Sequence, residues 1–150
     1  MSAPGLILVA EDDDNDAFLL EHAFQEARIP NPLRRARDGQ EAIDYLADAG
    51  RVPSSGSRLR PSLLLLDVKM PRKTGWDVLH WLRNESSLRY LPVIVFSSSA
   101  QREDIDRAYQ MGANSFIVKP SSTQKRAELA KCIEALWLQF NEPPSGCLNS

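Results

Sequence analysis

The sequence predicts an α/β protein built on a doubly wound, five-stranded parallel sheet with helices on both faces. Short apolar runs, typical of strands buried on both faces, alternate with segments of helical periodicity about five times along the chain. The 150 residues are enough for one domain with a real hydrophobic core. No internal repeat interrupts the alternation, so a single unit is expected over residues 1–150, with a core of about 6–140.

The first half of the chain contains two strand–helix pairs. The apolar run 5–10 is the first strand, and a helix with an apolar stripe begins at about Asp14 and ends at the PNP motif, 30–32. The short polar stretch 33–37 predicts an edge strand. The Asp-Gly pair that follows turns the chain into a second helix, which ends at Gly50.

The second half repeats the pattern three times after a Ser/Pro/Arg-rich surface loop at 51–61. Each strand is again an apolar run, and each helix again carries apolar residues at helical spacing. The predicted strands are 62–67, 92–97 and 115–119, and the predicted helices lie near 76–82, at 100–111 and at 123–140.

Composition excludes several classes of function. The net charge is −2, and the most basic stretch, RRAR at 34–37, is explained better by a solvated strand edge than by RNA binding. No apolar stretch is long enough to span a bilayer, and the N-terminus lacks the features of a signal peptide. Cys132 and Cys147 have no metal-binding spacing, which favours a reducing cytoplasm. Neither nucleic acid nor a membrane is an expected partner.

Polar residues end four of the five predicted strands. Ligands of open parallel sheets bind outside the carboxyl ends of the strands, so these side chains are expected to converge at one edge. They are Glu11 and Asp12 after the first strand, Asp67 after the third, Ser97 after the fourth and Lys119 after the fifth.

The segment EDDDND at 11–16 places five carboxylates in six positions, where their repulsion calls for solvent or a cation. Clustered carboxylates favour a hard divalent ion such as Mg²⁺, which often shares a phosphoryl oxygen as a further ligand. An Asp can itself be a nucleophile that forms an aspartyl phosphate. Lys119 and the hydroxyl of Ser97 would stabilise the transferred group.

Four segments in order, ILVAED, LLLLDVKMPRKTGWDVL, PVIVFSSSA and GANSFIVKP, resemble the receiver domain of response regulators over about residues 6–140. The resemblance implies the strand order 2-1-3-4-5. The acidic segment, the AFLLEHAF that follows it, and ALWLQFNEPP near the end are similar to the single-domain regulators that partner bacterial phytochrome histidine kinases. The resemblance to response regulators implies a cytoplasmic signalling protein that promotes only its own phosphorylation and dephosphorylation.

The resemblance also implies roles for particular residues. Asp67 would be the phosphoacceptor. Asp12, Asp67 and the backbone carbonyl of Lys69 would bind Mg²⁺, and Glu11 would act through a metal-bound water.

The remaining roles concern the switch. Ser97 would bond a phosphoryl oxygen, Lys119 would pair with it, and the Lys119–Pro120 peptide bond would be cis. The family's switch aromatic, Tyr or Phe, is Phe116 here, so no hydroxyl is available to a partner at that position.

The expected partners are a sensor histidine kinase and, as a further option, a phosphotransfer protein. No output domain is expected after the last helix, only the polar tail 141–150. A homodimer is also expected, because apolar residues of the last helix form a continuous stripe whose second half, with Trp137 and Phe140, is predicted to project past the sheet. The stripe consists of Leu129, Cys132, Ile133, Leu136, Trp137 and Phe140.

Each of these residues also has a simpler interpretation. Asp67 on its own could be a helix cap, and Asp13, Asp14 and Asp16 fit the first turn of a helix better than a metal site. His22 and His80 fit helix surfaces better than a phosphate relay, because neither follows a strand.

Trp76 and Trp81 fit packing positions, and Ser98 and Ser99 could tune the site or, for Ser99, cap the next helix.

Three other functions compete with phosphate acceptance. A Mg²⁺-dependent phosphatase with an Asp nucleophile requires a second acid two residues later, where this chain has Lys69. A degenerate receiver that acts only as a binding module would lack Asp67 or Lys119. A flavin-binding protein would need a phosphate-binding loop after the first strand, where EDDDND would repel phosphate.

Overall fold

The computed structural model describes residues 5–50 and 60–142, so most of the predicted loop at 51–61, most of the tail and Cys147 lie outside the described residues. Within the described ranges, no helix combines the length and apolar character needed to cross a bilayer. Strands and helices alternate along the chain as predicted. They are β1 Leu6–Ala10, α1 Asp14–Glu26, β2 Leu33–Ala36, α2 Gly39–Ala49, β3 Pro61–Leu66, α3 Gly75–Asn84, β4 Val93–Ser97, α4 Arg102–Gln110, β5 Ser115–Val118 and α5 Thr123–Ile133.

The five strands form one parallel sheet in the order β2-β1-β3-β4-β5, which confirms the predicted fold. β2 lies at an edge, which explains why it is the most polar strand. β1 and β3 lie inside the sheet, and from Leu63 to Leu66 β3 is buried on both faces.

Alternate residues of the central strands enter two separate cores. Leu8 and Leu64 pack in a core with residues of α2, α3 and α4, whereas Ile7 and Leu65 pack in a second core with residues of α1 and α5. Helices therefore cover both faces of the sheet. The loops at the carboxyl ends of the strands remain free to carry polar groups.

The C-terminal region departs from the prediction of one α-helix over 123–140. α5 ends at Ile133, and Glu134–Phe140 form a π-helical segment, in which the backbone N–H of Asn141 donates to the carbonyl of Leu136 at 2.8 Å. The i→i+5 bonds of a π-helix widen each turn, so this segment departs from the geometry of the predicted α-helix.

The residues of the predicted apolar stripe do not all lie on one face. Cys132 is exposed. Trp137 does not project past the sheet but packs, half-buried, against the core between α1 and α5. Leu136 and Phe140 are 57% and 76% exposed.

Candidate phosphoacceptor site

Polar side chains meet at the carboxyl edge of the sheet. Glu11 follows β1, Asp67 follows β3, Ser97 ends β4 and Lys119 follows β5. Sheet hydrogen bonding continues into these positions: the N–H groups of Glu11, Asp67 and Lys119 donate to the carbonyls of the neighbouring strands' last residues, Ala36, Ala10 and Ser97, at 2.8–3.0 Å. The sheet backbone therefore fixes where each side chain begins.

Lys119 is the centre of the site. Its ammonium lies 2.5 Å from Glu11 Oε1, 2.9 Å from Asp16 Oδ2 and 3.0 Å from Asp67 Oδ2. Burial alone would lower the pKa of Lys119, but the three carboxylates outweigh burial and raise this pKa above its ordinary value. Lys119 therefore stays charged and holds the acidic groups together.

Asp16 is the residue that the sequence does not identify as part of this cluster. It lies in the first turn of α1, as predicted, and Asp13 caps the same helix by accepting a hydrogen bond from the backbone N–H of Asp16 at 2.8 Å. The cap orients the first turn so that the Asp16 carboxylate reaches Lys119. Only the packing of α1 against the sheet brings these two residues together.

Glu11 is the most buried carboxylate of the site, with 4% of its surface exposed. One oxygen contacts Lys119, and the other accepts from the backbone N–H of Asp13 at 3.1 Å. Burial raises the pKa of Glu11 to about 7, with the Asp67 charge acting in the same direction and the Lys119 contact opposing it. Burial is the main cause, and the nearby Asp67 charge adds a repulsion that a cation would relieve.

Oxygen atoms of Glu11, Asp12 and Asp67 lie within 4.8 Å of one another. Three carboxylates this close form a hard oxygen donor set that fits Mg²⁺ or a similar divalent ion. Asp12 is exposed, so the cluster is open to solvent on that side. The backbone N–H of Lys69 donates to Asp67 Oδ1 at 3.2 Å, which fixes the start of the loop after β3. A role for the Lys69 carbonyl stays a prediction.

Ser97, with 1% exposure, begins a short chain of hydrogen bonds toward α4. Its hydroxyl accepts from the backbone N–H of Ser99 at 3.2 Å, and the Ser99 hydroxyl donates to Asp104 at 2.8 Å. Ser99 also accepts from the backbone N–H of Gln101, the N-cap residue of α4, so Ser99 supports the helix start without being its cap. A change at Ser97 would thus reach α4 through Ser99.

Phe116 and Pro120 lie on either side of Lys119. Phe116 is half-buried against the core under α2, α3 and α4, and its backbone N–H donates to the hydroxyl of Tyr109 at 3.2 Å. The Pro120 carbonyl accepts from Arg126 at 3.1 Å. The switching role of Phe116 and the cis geometry of the bond before Pro120 stay predictions.

A glycine allows α3 to start directly against the phosphoacceptor candidate. The Gly75 N–H donates to the Val68 carbonyl at 3.0 Å, and a Cβ at this position would lie 2.3 Å from the carbonyl oxygen of Asp67. Any side chain here would displace the backbone that carries Asp67. The sequence shows only a glycine at a helix start, which gives no sign of this contact.

The basic stretch at 34–37 faces the acidic one. Arg35 and Arg37 both contact Asp14, at 2.7 and 3.0 Å, and these contacts lower the pKa of Asp14. Arg35 also donates to the Glu11 carbonyl at 2.9 Å. Arg35 and Arg37 therefore bind the neighbouring acidic loop, in line with the interpretation of 34–37 as a strand edge.

His22 and His80 lie on helix surfaces, and Trp76 and Trp81 lie at packing positions, as expected. His22 lies 3.5 Å from Glu26 along α1, and His80 is exposed on α3. Trp76 and Trp81 are half-buried and pack against the core that contains residues of α2, α3 and α4. The Arg107 guanidinium lies 4.4 Å from the centre of the Trp76 ring. In the part of the chain that the structure describes, these four side chains lie apart from the acidic cluster.

The five-stranded parallel sheet and the acidic cluster with its lysine at the carboxyl edge are the features of a receiver domain. Residues 7–133 match the family described as response regulator receiver domain, and the chain belongs to this family.

Three relatives illustrate the likeness. The chain is 33% identical to the probable methanogenesis regulatory protein FilR2 of Methanothrix harundinacea, over 94% of this chain and 88% of that protein. It is 29% identical to the response regulator Rcp1 of Synechocystis, over 91% and 90%, and the Mn²⁺-bound structure of Rcp1 superimposes with a TM-score of 0.80. The phosphorylated cyanobacterial phytochrome response regulator RcpA, 32% identical, superimposes with a TM-score of 0.81 over 95% of this chain and 100% of that one.

Proposed function

We propose that this protein signals through phosphorylation of Asp67, with the phosphoryl group donated by a histidine kinase. The observation that carries the proposal is the position of the Asp67 carboxylate, 3.0 Å from the Lys119 ammonium and within 4.8 Å of the carboxylate oxygens of Glu11 and Asp12. This edge unites a nucleophile, a fixed positive charge and a donor set for a divalent cation. A degenerate binding module would have no need of all three.

In the proposed reaction, an Asp67 oxygen attacks the phosphorus of the kinase phosphohistidine. The P–N bond breaks, the electron pair leaves with the imidazole, and the product is an acyl phosphate on Asp67. Lys119 pairs with the Asp67 carboxylate before attack and then with a phosphoryl oxygen. The Ser97 hydroxyl, at the end of β4, would donate a hydrogen bond to another phosphoryl oxygen.

Glu11, Asp12, Asp67 and the Lys69 carbonyl would hold a Mg²⁺ ion. When bound, Mg²⁺ neutralises the phosphoryl charge that these carboxylates would otherwise repel. The proximity of the three carboxylates supports this assignment, as does the Mn²⁺-bound structure of the relative Rcp1.

We further propose a phytochrome-type histidine kinase as the donor, in the cytoplasm. The likeness to RcpA, a phytochrome response regulator, supports this choice, because it extends over nearly the whole chain. Release of the signal would follow by protein–protein contact, with a phosphotransfer protein or with a second copy of the chain.

The test is incubation of the protein with Mg²⁺ and a small acyl phosphate donor, followed by mass spectrometry. One acid-stable, hydroxylamine-labile phosphate is expected. It should be absent in Asp67→Asn and present in the control Asp106→Asn, which changes an exposed carboxylate of α4. Labelling of Asp67→Asn at wild-type stoichiometry would overturn the assignment.

The choice of kinase needs a separate comparison. A purified phytochrome-type kinase should transfer phosphate to this protein faster than an unrelated histidine kinase does. Equal rates would remove the phytochrome proposal and leave the Asp67 chemistry intact.

A further inference from the structure

An ion pair ties the loop after β3 to the connection between β2 and α2. The Arg72 guanidinium donates to Asp38 Oδ2 through Nε at 2.9 Å and through a second nitrogen. Asp38 is 8% exposed, and its other oxygen accepts from the backbone N–H of Glu41 at 2.8 Å as the N-cap of α2. Asp38 therefore joins the start of a helix to a loop that lies 34 residues away in sequence.

The two loops also touch through their backbones. The Gly39 N–H donates to the Lys73 carbonyl at 3.0 Å, and a Cβ on Gly39 would lie 2.0 Å from that oxygen. At its far end, the same loop is held by the hydrogen bond from Gly75 to Val68. Residues 68–74 are thus fixed on both sides.

Arg72 itself adopts a strained backbone. Its φ is +64°, in the left-handed region that side-chain-bearing residues rarely adopt. Such a conformation persists where surrounding contacts enforce it, and these conformations cluster at functional sites. Here the contacts are the pair with Asp38 and a hydrogen bond across Arg72, in which the Lys73 N–H donates to the Pro71 carbonyl at 2.8 Å.

We propose that the Asp38–Arg72 pair is a positioning device for the metal site, and that Arg72 is a positioning residue for Mg²⁺ binding. The pair holds the loop in the conformation that presents the Asp67 carboxylate and the Lys69 carbonyl together. The inference rests on the proposed function, since it concerns the same metal site. Groups that orient metal ligands without touching the metal commonly change its affinity 10–100-fold when removed.

The sign of the effect separates positioning from simple charge. Removing a cation near an acidic cluster should strengthen Mg²⁺ binding through space. Loss of positioning should weaken it. Lys73 supplies a matched control, because it is an exposed cation next to Arg72, and the ion pair of Asp38 is made by the Arg72 side chain.

The experiment is Mg²⁺ titration of the full chain by calorimetry, with wild type, Arg72→Ala, Arg72→Gly and Lys73→Ala. We expect the Kd to rise about tenfold in both Arg72 variants and to stay equal or fall in Lys73→Ala. Arg72→Gly relieves the positive φ, so a loss in both variants assigns the effect to the ion pair. An unchanged or lower Kd in the two Arg72 variants overturns the proposal.

A readout without metal completes the test. In the metal-free protein, amide exchange over residues 68–74 should quicken in Arg72→Ala and partly recover in Arg72→Lys, which keeps the charge. Asp38→Asn, which keeps a capping side chain, should reproduce the loss of affinity if Arg72→Ala fails to fold. Wild-type protein that binds no Mg²⁺ would overturn the proposed function, whereas wild-type binding with unaffected variants overturns only the positioning role.

Discussion

The Lys119 ammonium lies 3.0 Å from the carboxylate of Asp67, a residue 52 positions earlier in the chain. The contact joins the ends of β3 and β5, which flank β4 in the sheet. Because Lys119 also contacts Glu11 and Asp16, its charge is shared among three carboxylates. A phosphoryl group on Asp67 would bring new anionic oxygens to the same ammonium, so phosphorylation must redistribute these contacts.

The first prediction concerns pH and Glu11. Burial raises the pKa of Glu11 from 4.5 to about 7, so between these values the folded state binds more protons than the unfolded state. This contribution to the free energy of unfolding therefore falls as pH rises from 4.5 to 7. With metal removed, Glu11→Gln should stabilise the protein more at about pH 8 than at about pH 5, on either side of the raised pKa, as measured by urea denaturation.

A control removes a carboxylate that lies outside the cluster. Glu21→Gln, on the exposed side of α1, should change the free energy of unfolding similarly at both pH values. A Glu11→Gln effect that is equal at the two pH values would argue against a raised pKa at Glu11.

The second prediction separates metal binding from charge repulsion at Asp12. Asp12→Asn should weaken Mg²⁺ binding at least tenfold, about the scale seen when a metal site loses a supporting group. It should also raise the thermal midpoint of the metal-free protein, but only slightly, because Asp12 is exposed and its charge is screened by solvent. Calorimetric titration and thermal melts in chelator measure the two effects.

Asp13→Asn is the matched variant for Asp12→Asn. It removes the same charge one residue later, and Asn caps a helix about as well as Asp. Mg²⁺ affinity should survive this change nearly intact. Equal losses in the two variants would show that net charge, and not ligation by Asp12, governs binding.

The third prediction concerns Gly75. Ala is a better helix former than Gly by roughly 1 kcal/mol, so helix propensity alone predicts that Gly75→Ala stabilises α3. The new Cβ would however lie 2.3 Å from the Asp67 carbonyl oxygen, and overpacking of this kind costs about 1–3 kcal/mol. We expect net destabilisation in urea denaturation together with slower phosphorylation of Asp67. A more stable variant with normal phosphorylation would contradict the close contact.

The sequence is sufficient to predict the sheet and the edge where the polar groups meet. Runs such as LILVA in β1 and VIVFS in β4 are apolar or nearly so because the strands are buried on both faces. Parallel strands end at a common edge, so the residues after them converge wherever the helices pack. That is why Glu11, Asp67 and Lys119 can be grouped from the sequence alone.

Contacts that depend on how helices and loops pack are not predictable in this way. Asp16 reaches Lys119, 103 residues later in the chain, only because α1 packs against the sheet. The Asp38–Arg72 pair requires a left-handed residue that is not glycine, and no local pattern signals that conformation. The sequence also gives no sign that Glu134–Phe140 form a π-helix or that Trp137 packs against the core.

The fourth prediction is that phosphorylation changes the region from Ser97 to Pro120. The phosphoryl oxygens should draw in the Ser97 hydroxyl and Lys119, and Phe116 should move inward into the space that is vacated. Because Ser99 connects Ser97 to Asp104, the start of α4 should respond as well. Amide exchange with a beryllofluoride mimic should change most over residues 97–120.

The same experiment on Asp67→Asn serves as the control and should show no such change. A response of the wild-type protein confined to residues 11–16 and 67–70 would mean that the mimic binds without a propagated switch.

The last prediction is a homodimer through the π-helical segment. Leu136 and Phe140 are 57% and 76% exposed, although the neighbouring side chains Trp137 and Leu138 pack against the core. Large apolar side chains left in water on one short segment mark an interface. Changing Leu136 and Phe140 to Ser should therefore convert a dimer to a monomer in sedimentation equilibrium at micromolar concentration, with the thermal midpoint preserved.

The packing of Trp137 decides which variants make a clean test. Replacing Trp137 would remove core contacts and could unfold the protein, so it is kept. Phe18→Ser is the matched control, because Phe18 is 64% exposed on α1 and lies outside the π-helical segment. It should leave the dimer intact. A wild-type protein that sediments as a monomer, phosphorylated or not, would contradict the predicted dimer.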